Sequence, residues 1–246
     1  MNQKKFLFLI FLGFIVGLGF WFSISYDNKS TDKNGFLKAE ITGPLKSEIE
    51  NILARIQSEP DNTELLNSLA DLYFRNGNYD FSEETFKKVL DKKPDNVSAL
   101  NGLANVLRYR GKYEESETMF KKAISIQPGN SWLYLDLGKL YRNWNKHKES
   151  EEAFEKAISL NPDDDKIYSY GLGYLYRDEG RLEDALKMFR KAVDLNPSSF
   201  NYMGLGDIYR HLNEFAKSER YLKKSIELNP ASEAYMGLGY TYLAWG

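Results

Sequence analysis

The sequence predicts an all-α fold: an α-solenoid of stacked helix-turn-helix repeats, preceded by one transmembrane helix. Three observations carry this reading. Pro60, Pro94, Pro128, Pro162, Pro197 and Pro230 recur at intervals of 34, 34, 34, 35 and 33 residues. Between successive prolines, two stretches of apolar and small residues repeat with helical spacing. Ahead of them, residues 6–26 (FLFLIFLGFIVGLGFWFSISY) carry no charge over 21 positions.

Residues 1–5 form a short tail ending in Lys4 and Lys5. At about 1.5 Å rise per residue, the segment 6–26 can cross a hydrocarbon core of about 30 Å. It is longer than the apolar region of a cleaved signal peptide, and Ser23-Ile24-Ser25 is a poor cleavage site. Lys4 and Lys5 before it nearly balance Lys29, Lys33 and Lys38 after it, but the short lysine tail resembles that of a signal-anchor. The expectation is a single-pass membrane protein with extracytoplasmic repeats, on the periplasmic or cell-surface side. Gly13 and Gly17 form a GxxxG, a spacing that lets two transmembrane backbones approach. Glycine is also common in such helices for other reasons; a weak homodimer through Gly13 and Gly17 is the sharper reading. Residues 27–44 are polar, with Gly35 and Gly43-Pro44, and read as a flexible linker. Leu45, Ile49, Ile52, Leu53 and Ile56 share one helical face, so residues 45–60 read as a capping helix that stops at Pro60.

Five units follow over residues 63–232, at 63–96, 97–130, 131–165, 166–198 and 199–232, and residues 233–246 give the first helix of an incomplete sixth. In each first helix the fourth, seventh, eighth and eleventh residues fall on one face, as Tyr134, Leu137, Gly138 and Tyr141 do. The small eighth residue is a notch for a neighbouring helix. Each second helix carries small, large and small residues at intervals of four and three. These are Ser82-Phe86-Val89, Ser116-Phe120-Ala123, Ser150-Phe154-Ala157, Ala185-Phe189-Ala192 and Ser218-Leu222-Ser225. Between the helices stands Gly77, Gly111, Asn145, Gly180, Asn213 or Gly246, residues that tolerate a left-handed backbone. One hairpin cannot bury both of its apolar faces, so stability must come from stacking. Tyr235, Leu238 and Tyr242 of the last helix would lie uncovered, which predicts a sequence continuing past residue 246.

These residues resemble the tetratricopeptide repeat, whose pattern is W-x2-L-G-x2-Y, A-x3-F-x2-A, then P. YLDLGKLY with SEEAFEKA and Pro162, and YMGLGDIY with Pro230, are the best fits, and the resemblance spans residues 63–246. Two departures stand out. Ser169 replaces the first aromatic of the fourth unit, and one residue is gained near Asp163 to Asp165 before one is lost after Pro197. The resemblance implies a right-handed superhelix whose inner wall, built from first helices, binds peptides. Carried over by position, that wall comprises Asn67, Asn101, Asn105, Arg108, Trp132, Leu135, Lys139, Arg142, Tyr170, Tyr174, Arg177, Phe200, Met203, Asp207, Arg210, Met236 and Tyr240.

Arg108, Arg142, Arg177 and Arg210 occupy the same twelfth place in successive units. They read either as a ladder for carboxylates or phosphates, or as cations stabilising the negative ends of their helices. Gly171, Gly204 and Gly237 lie inside helices, where glycine costs about 1 kcal/mol relative to alanine. They either deepen the groove or allow tight helix packing. The positions at which chaperone-binding relatives place lysines read Asn67, Asp71, Gly102, Trp132 and Asp136, or Asn101, Asn105, Asp136, Ile167 and Gly171, so that clamp is not expected.

A formal net charge of -2 argues against a nucleic-acid partner, and the absence of cysteine excludes disulfides, thiolate metal sites and a cysteine nucleophile. The two histidines, His147 and His211, read as packing or surface residues. No phosphate loop, nucleophile elbow or metal-spaced cluster appears, so no enzyme activity, cofactor or metal is expected. The sequence therefore points to a membrane-anchored scaffold that binds a protein or peptide ligand during cell-envelope complex assembly. The alternative is the N-terminal regulatory or substrate-recruiting region of a larger enzyme, such as a glycosyltransferase or an envelope protease.

Overall fold

A computed structural model describes residues 30–31, 37–38 and 42–246. The expected transmembrane helix 6–26 and its Gly13/Gly17 contact lie outside the described residues, and among those described no helix is long and apolar enough to cross a membrane. Ser30–Thr31 and Leu37–Lys38 pair antiparallel, Ser30 opposite Lys38 and Thr31 opposite Leu37. Among the described residues, everything else with regular structure is helical. The chain divides into two compact units, one ending at Lys92 and the other running from Lys93 to Gly246.

The first unit holds α1 (Lys46–Ser58), α2 (Thr63–Arg75) and α3 (Tyr79–Lys92). Ile49 and Ile56 are the buried residues of α1, which lies against α2. The start of α1 is tied to the end of α2 by Asn76: its Nδ2 donates to the Thr42 carbonyl at 2.7 Å and its Oδ1 accepts from Leu45 N at 3.4 Å.

The second unit holds α4 (Val97–Tyr109), α5 (Tyr113–Ile126), α6 (Ser131–Asn143) and α7 (His147–Leu160). A π-helical stretch, Ile167–Gly173, then runs into α8 (Tyr174–Asp178). It is followed by α9 (Leu182–Leu195), α10 (Ser199–His211), α11 (Phe215–Leu228) and α12 (Ser232–Trp245). Three first helices open on a side-chain cap: Asn96 accepts from Ala99 N, Asn130 from Trp132 N and Ser198 from Asn201 N. The turns are left-handed as their residue types require, with φ of 58° at Asn145 and 60° at Asn213.

The core repeats one contact. Phe154 of α7 is fully buried between two glycines: a Cβ on Gly138 would lie 2.4 Å from its ring, and one on Gly171 2.9 Å away. Phe189 sits in the same way between Gly173, at 2.9 Å, and Gly204, at 2.1 Å. Leu222 sits between Gly206, at 2.7 Å, and Gly237, at 3.1 Å. Each large residue thus touches the first helix of its own hairpin and that of the next. Gly171, Gly204 and Gly237 are therefore packing residues, each with a neighbouring side chain in the space of its Cβ, and Gly204 and Gly237 line a cavity as well.

The residue gained in the fourth unit is not a loop insertion. It is absorbed inside the first helix as the π-helical turn, so Tyr168 keeps the aromatic place 34 residues after Tyr134. Tyr168 is buried and donates its hydroxyl to the Pro162 carbonyl at 3.1 Å. Ser169 does not replace an aromatic; it is a fully buried residue whose hydroxyl donates to the Asp165 carbonyl at 3.0 Å.

Two polar contacts repeat beside the wedge. Ser82, Ser116 and Ser150 donate to the carbonyls of Ala70, Ala104 and Gly138 at 2.8, 2.7 and 2.8 Å. Tyr141, Tyr176 and Tyr242 donate to Glu117, Glu151 and Glu219 of the preceding second helix, each at 2.6 Å. Burial raises the Glu117 pKa, but hydrogen bonds from Lys121 and Tyr141 outweigh it and leave the carboxyl below its ordinary value. Where Leu186 replaces the glutamate, Tyr209 accepts from Arg190 at 2.6 Å instead.

Gly204→Ala or Gly138→Ala should destabilise the chain by about 1–3 kcal/mol through overpacking. Gly239→Ala, with nothing within 4 Å of its Cβ, should be neutral or stabilising. Phe154→Ala should cost about 3–5 kcal/mol. Thermal or urea unfolding of the variants checks the ranking.

Candidate functional site

First helices of the second unit present three adjoining groups of side chains. At the α4 and α6 end, Asp136 Oδ2 accepts from Asn101 at 3.2 Å and Asn105 at 3.1 Å, and its Oδ1 accepts from Lys139 at 3.1 Å. Arg108 donates to Asn105 Oδ1 at 3.0 Å. With its amide turned to suit both neighbours, Asn143 accepts from Arg108 Nη1 at 3.1 Å and donates to the Lys139 carbonyl at 3.2 Å. The polar residues of this end thus bind largely to one another.

Next comes an aromatic ledge. Tyr170 stacks on Phe200 with centroids 4.0 Å apart and rings 10° from parallel. Tyr174 meets Phe200 and Phe189 edge-on, at 6.0 and 5.3 Å. Cations flank the rings: Lys139 lies 5.7 Å from the Tyr170 centroid, Arg142 5.7 Å and Arg177 4.5 Å from that of Tyr174. Trp132 is 42% exposed under Lys166, 5.0 Å away. Arg142 donates to the Tyr170 carbonyl at 3.0 Å and lies 3.7 Å from Asp178. Burial lowers its pKa from the ordinary arginine value, and Asp178 opposes that.

The third group lines a cavity of about 340 Å³ between α8, α10 and α12. Tyr174, Met203, Met236, Tyr240, Leu222, Gly204 and Gly237 supply its apolar surface, and Arg177, Asp207, Arg210, His211 and Glu233 its polar surface. Asp207 joins three of these side chains: Arg210 Nη2 donates to it, Arg177 Nη1 lies 3.5 Å away and the His211 ring nitrogen Nε2 3.7 Å away. The Nε of Arg210 is buried with no hydrogen-bond partner. Burial chiefly, with Asp207 and Tyr170, raises the Tyr174 phenol to about 12 against the opposition of Arg177 and Arg142.

Seven of the expected wall residues, Tyr174, Arg177, Met203, Asp207, Arg210, Met236 and Tyr240, therefore meet in one cavity. Trp132, Tyr170, Arg142 and Phe200 form the ledge, while Asn101, Asn105, Arg108 and Lys139 close around Asp136. Leu135 is not on the wall: it is fully buried in the core with Ile167 and Leu172. Asn67 belongs to the first compact unit. The arginines lie in the last turns of their helices, as stabilisation of helix ends requires, and three also reach forward to the next hairpin, at Asn143, Asp178 and Asp207. Sequence reasoning gave Asp178 and Glu233 no role, read His211 as a packing or surface residue, and met Asp136 only among the positions of the clamp it set aside. Asp136 was findable, because it precedes Lys139 by one helical turn, as Asp207 precedes Arg210. Among the described residues no group of three or more His, Cys, Asp or Glu is placed to hold a metal.

Three family models, each described as tetratricopeptide repeat, match the chain at residues 61–128 and 95–163, at 135–200 and at 201–232. No curated protein matches in sequence. Among solved structures, the chain is similar to one in the APC/C hetero-tetramer Cut9-Hcn1, with a TM-score of 0.68 and 17% identity; the match covers 80% of this chain and only 40% of that one. A thermophilic tetratricopeptide repeat protein of Thermus thermophilus gives 0.66 and 17%, covering 74% of this chain and 99% of that one. PilW, a type IV pilus biogenesis factor, gives 0.66 and 20%, covering 78% and 90%. At these identities the likeness is one of fold.

Because the folded-state pKa of Tyr174 lies above the ordinary tyrosine value of about 10, its contribution to stability is complete below that pH and lost as pH rises toward 12. Tyr174→Phe should therefore lose less melting temperature than the parent between pH 10 and pH 12. Melting curves across that range give the comparison.

Proposed function

Since the chain belongs to the tetratricopeptide repeat family, in which stacked hairpins serve protein-protein interaction, we propose that it is a membrane-anchored scaffold whose wall of first helices binds an extended segment of a partner protein. The observation that carries this is the cavity of about 340 Å³ beside the Tyr170–Phe200 ledge, with Arg142 and Arg177 between them. Apolar surface there can take a side chain, and the guanidinium groups can take carbonyls or carboxylates of the same segment. The role is binding rather than catalysis. The apolar segment 6–26 and the lysines before it support an anchor that leaves the repeats on the extracytoplasmic side, where assembly of an envelope complex would use them.

Photocrosslinking from Tyr170 or Met203 in intact cells should capture a discrete protein. The combined variant Arg142→Ala, Tyr174→Ala, Arg177→Ala should lose that capture while keeping its helical circular dichroism. Recovery of the same protein by the triple variant would sink the proposal. For topology, protease added outside intact cells with a permeable outer envelope should digest the repeats. Digestion only after lysis of the inner membrane would reverse the orientation.

A further inference from the structure

Three seams between hairpins share one arrangement. One oxygen of Glu117, Glu151 or Glu219 accepts from the hydroxyl of the tyrosine on the next first helix, each at 2.6 Å. The same oxygen also meets a cation: Lys121 at 2.7 Å, Arg181 at 3.4 Å and Lys223 at 2.7 Å. The seam between α9 and α10 keeps the tyrosine and the cation but not the carboxylate. Leu186 stands where the glutamate stands elsewhere, directly after the small residue of the second helix. Arg190 follows it by four places, as Lys121 follows Glu117 and Lys223 follows Glu219. This seam lies inside the array, with α8 before it and α11 and α12 after it.

Two donors there lack the acceptor that the other seams supply. A guanidinium can only donate, so the Tyr209 oxygen accepts from Arg190 Nη2 at 2.6 Å, and its own proton has no acceptor among the described residues. Tyr209 is 2% exposed and held by stacking on Tyr221, with centroids 5.4 Å apart. Arg190 is exposed and forms no ion pair among the described residues. Of the neighbouring carboxylates, Glu214 pairs with Lys217 and Asp184 with Lys187, while Glu183 acts on Arg190 only at a distance. Further cations border the stack: Arg220 lies 6.0 Å from the Tyr221 centroid and Lys224 5.3 Å from that of Tyr202, again without an ion pair among the described residues. Over its length α11 has four basic residues against two acidic ones. We propose that this surface binds an acidic segment of a partner protein, one carboxylate of which takes the donors of Arg190 and Tyr209 as a glutamate does in the other seams. A carboxylate fits better than a phosphate, because a tyrosine and a cation hold a carboxylate oxygen three times in this molecule. The surface shares no residue with the cavity and does not rest on the function proposed for it.

Fluorescein-labelled hexaglutamate serves as the probe, titrated by anisotropy with the full chain in a neutral detergent. Saturable binding is expected. Arg190→Gln should weaken it by about tenfold or more, and Leu186→Glu should do the same while keeping the melting temperature, because an internal carboxylate then takes both donors. Lys187→Gln, an equal change of charge one turn away on α9, should leave the affinity within about twofold. Absence of saturable binding overturns the proposal, as does full binding by Arg190→Gln or by a folded Leu186→Glu. An equal loss from Lys187→Gln would reduce the effect to general charge attraction and overturn it too. Tripolyphosphate displacing the probe at lower concentration than unlabelled hexaglutamate would make phosphate the ligand, with the same consequence.

Discussion

The structure depends on one steric constraint: a large side chain on each second helix must lie between two first helices that both yield it room. Phe154, Phe189 and Leu222 meet glycine on both sides, so the helix backbones come closer than any side chain would allow. A helix glycine is unfavourable taken alone, by about 1 kcal/mol. Here close approach offsets that, because each large side chain is fully enclosed and carries its burial into two hairpins at once. The glycine pair with one residue between, as in Gly171 and Gly173 or Gly204 and Gly206, follows directly: one member receives the preceding hairpin and the other receives its own.

The same constraint explains why the fourth hairpin tolerates an extra residue. Tyr168 keeps the phase of the residues before it, while Gly173, Tyr176 and Phe189 keep the phase of those after. Both can be met only if the surplus lies between them, and a π-helical turn puts it there. An extra residue in the loop at Asp163 to Asp165 would instead have put Ser169 in the place that Tyr134 holds one hairpin earlier. The turn also sets the height of Tyr170 and Tyr174 on the wall, where they reach Phe200. The aromatic ledge is thus a consequence of how the seam was kept in register.

Much of this was legible in the sequence. The proline period, the small eighth residue and the buried large residue of each second helix are periodic, and periodic signals survive without coordinates. Partners are harder. A glycine shows that a Cβ is missing but not which neighbour fills the space, so Gly171 and Gly204 could be read as groove or as seam. Position alone put Leu135 on the wall, although its apolar side chain belongs to the core that Ile167 and Leu172 build. Asp178 adjoins Arg177 in sequence and carries no periodic mark, yet it anchors Arg142 of the preceding hairpin. The serine and glutamate pairs Ser116-Glu117 and Ser150-Glu151 were visible as composition only; their bonds to a carbonyl and a tyrosine needed the fold.

A double-mutant cycle between Gly204 and Phe189 tests the wedge most directly. If the ring and the missing Cβ share one space, Gly204→Ala should cost much less in a Phe189→Leu background than in the parent. The coupling should then be about 1 kcal/mol or more. Additive costs, with no coupling between the two positions, would contradict the wedge as the contact that holds successive hairpins together.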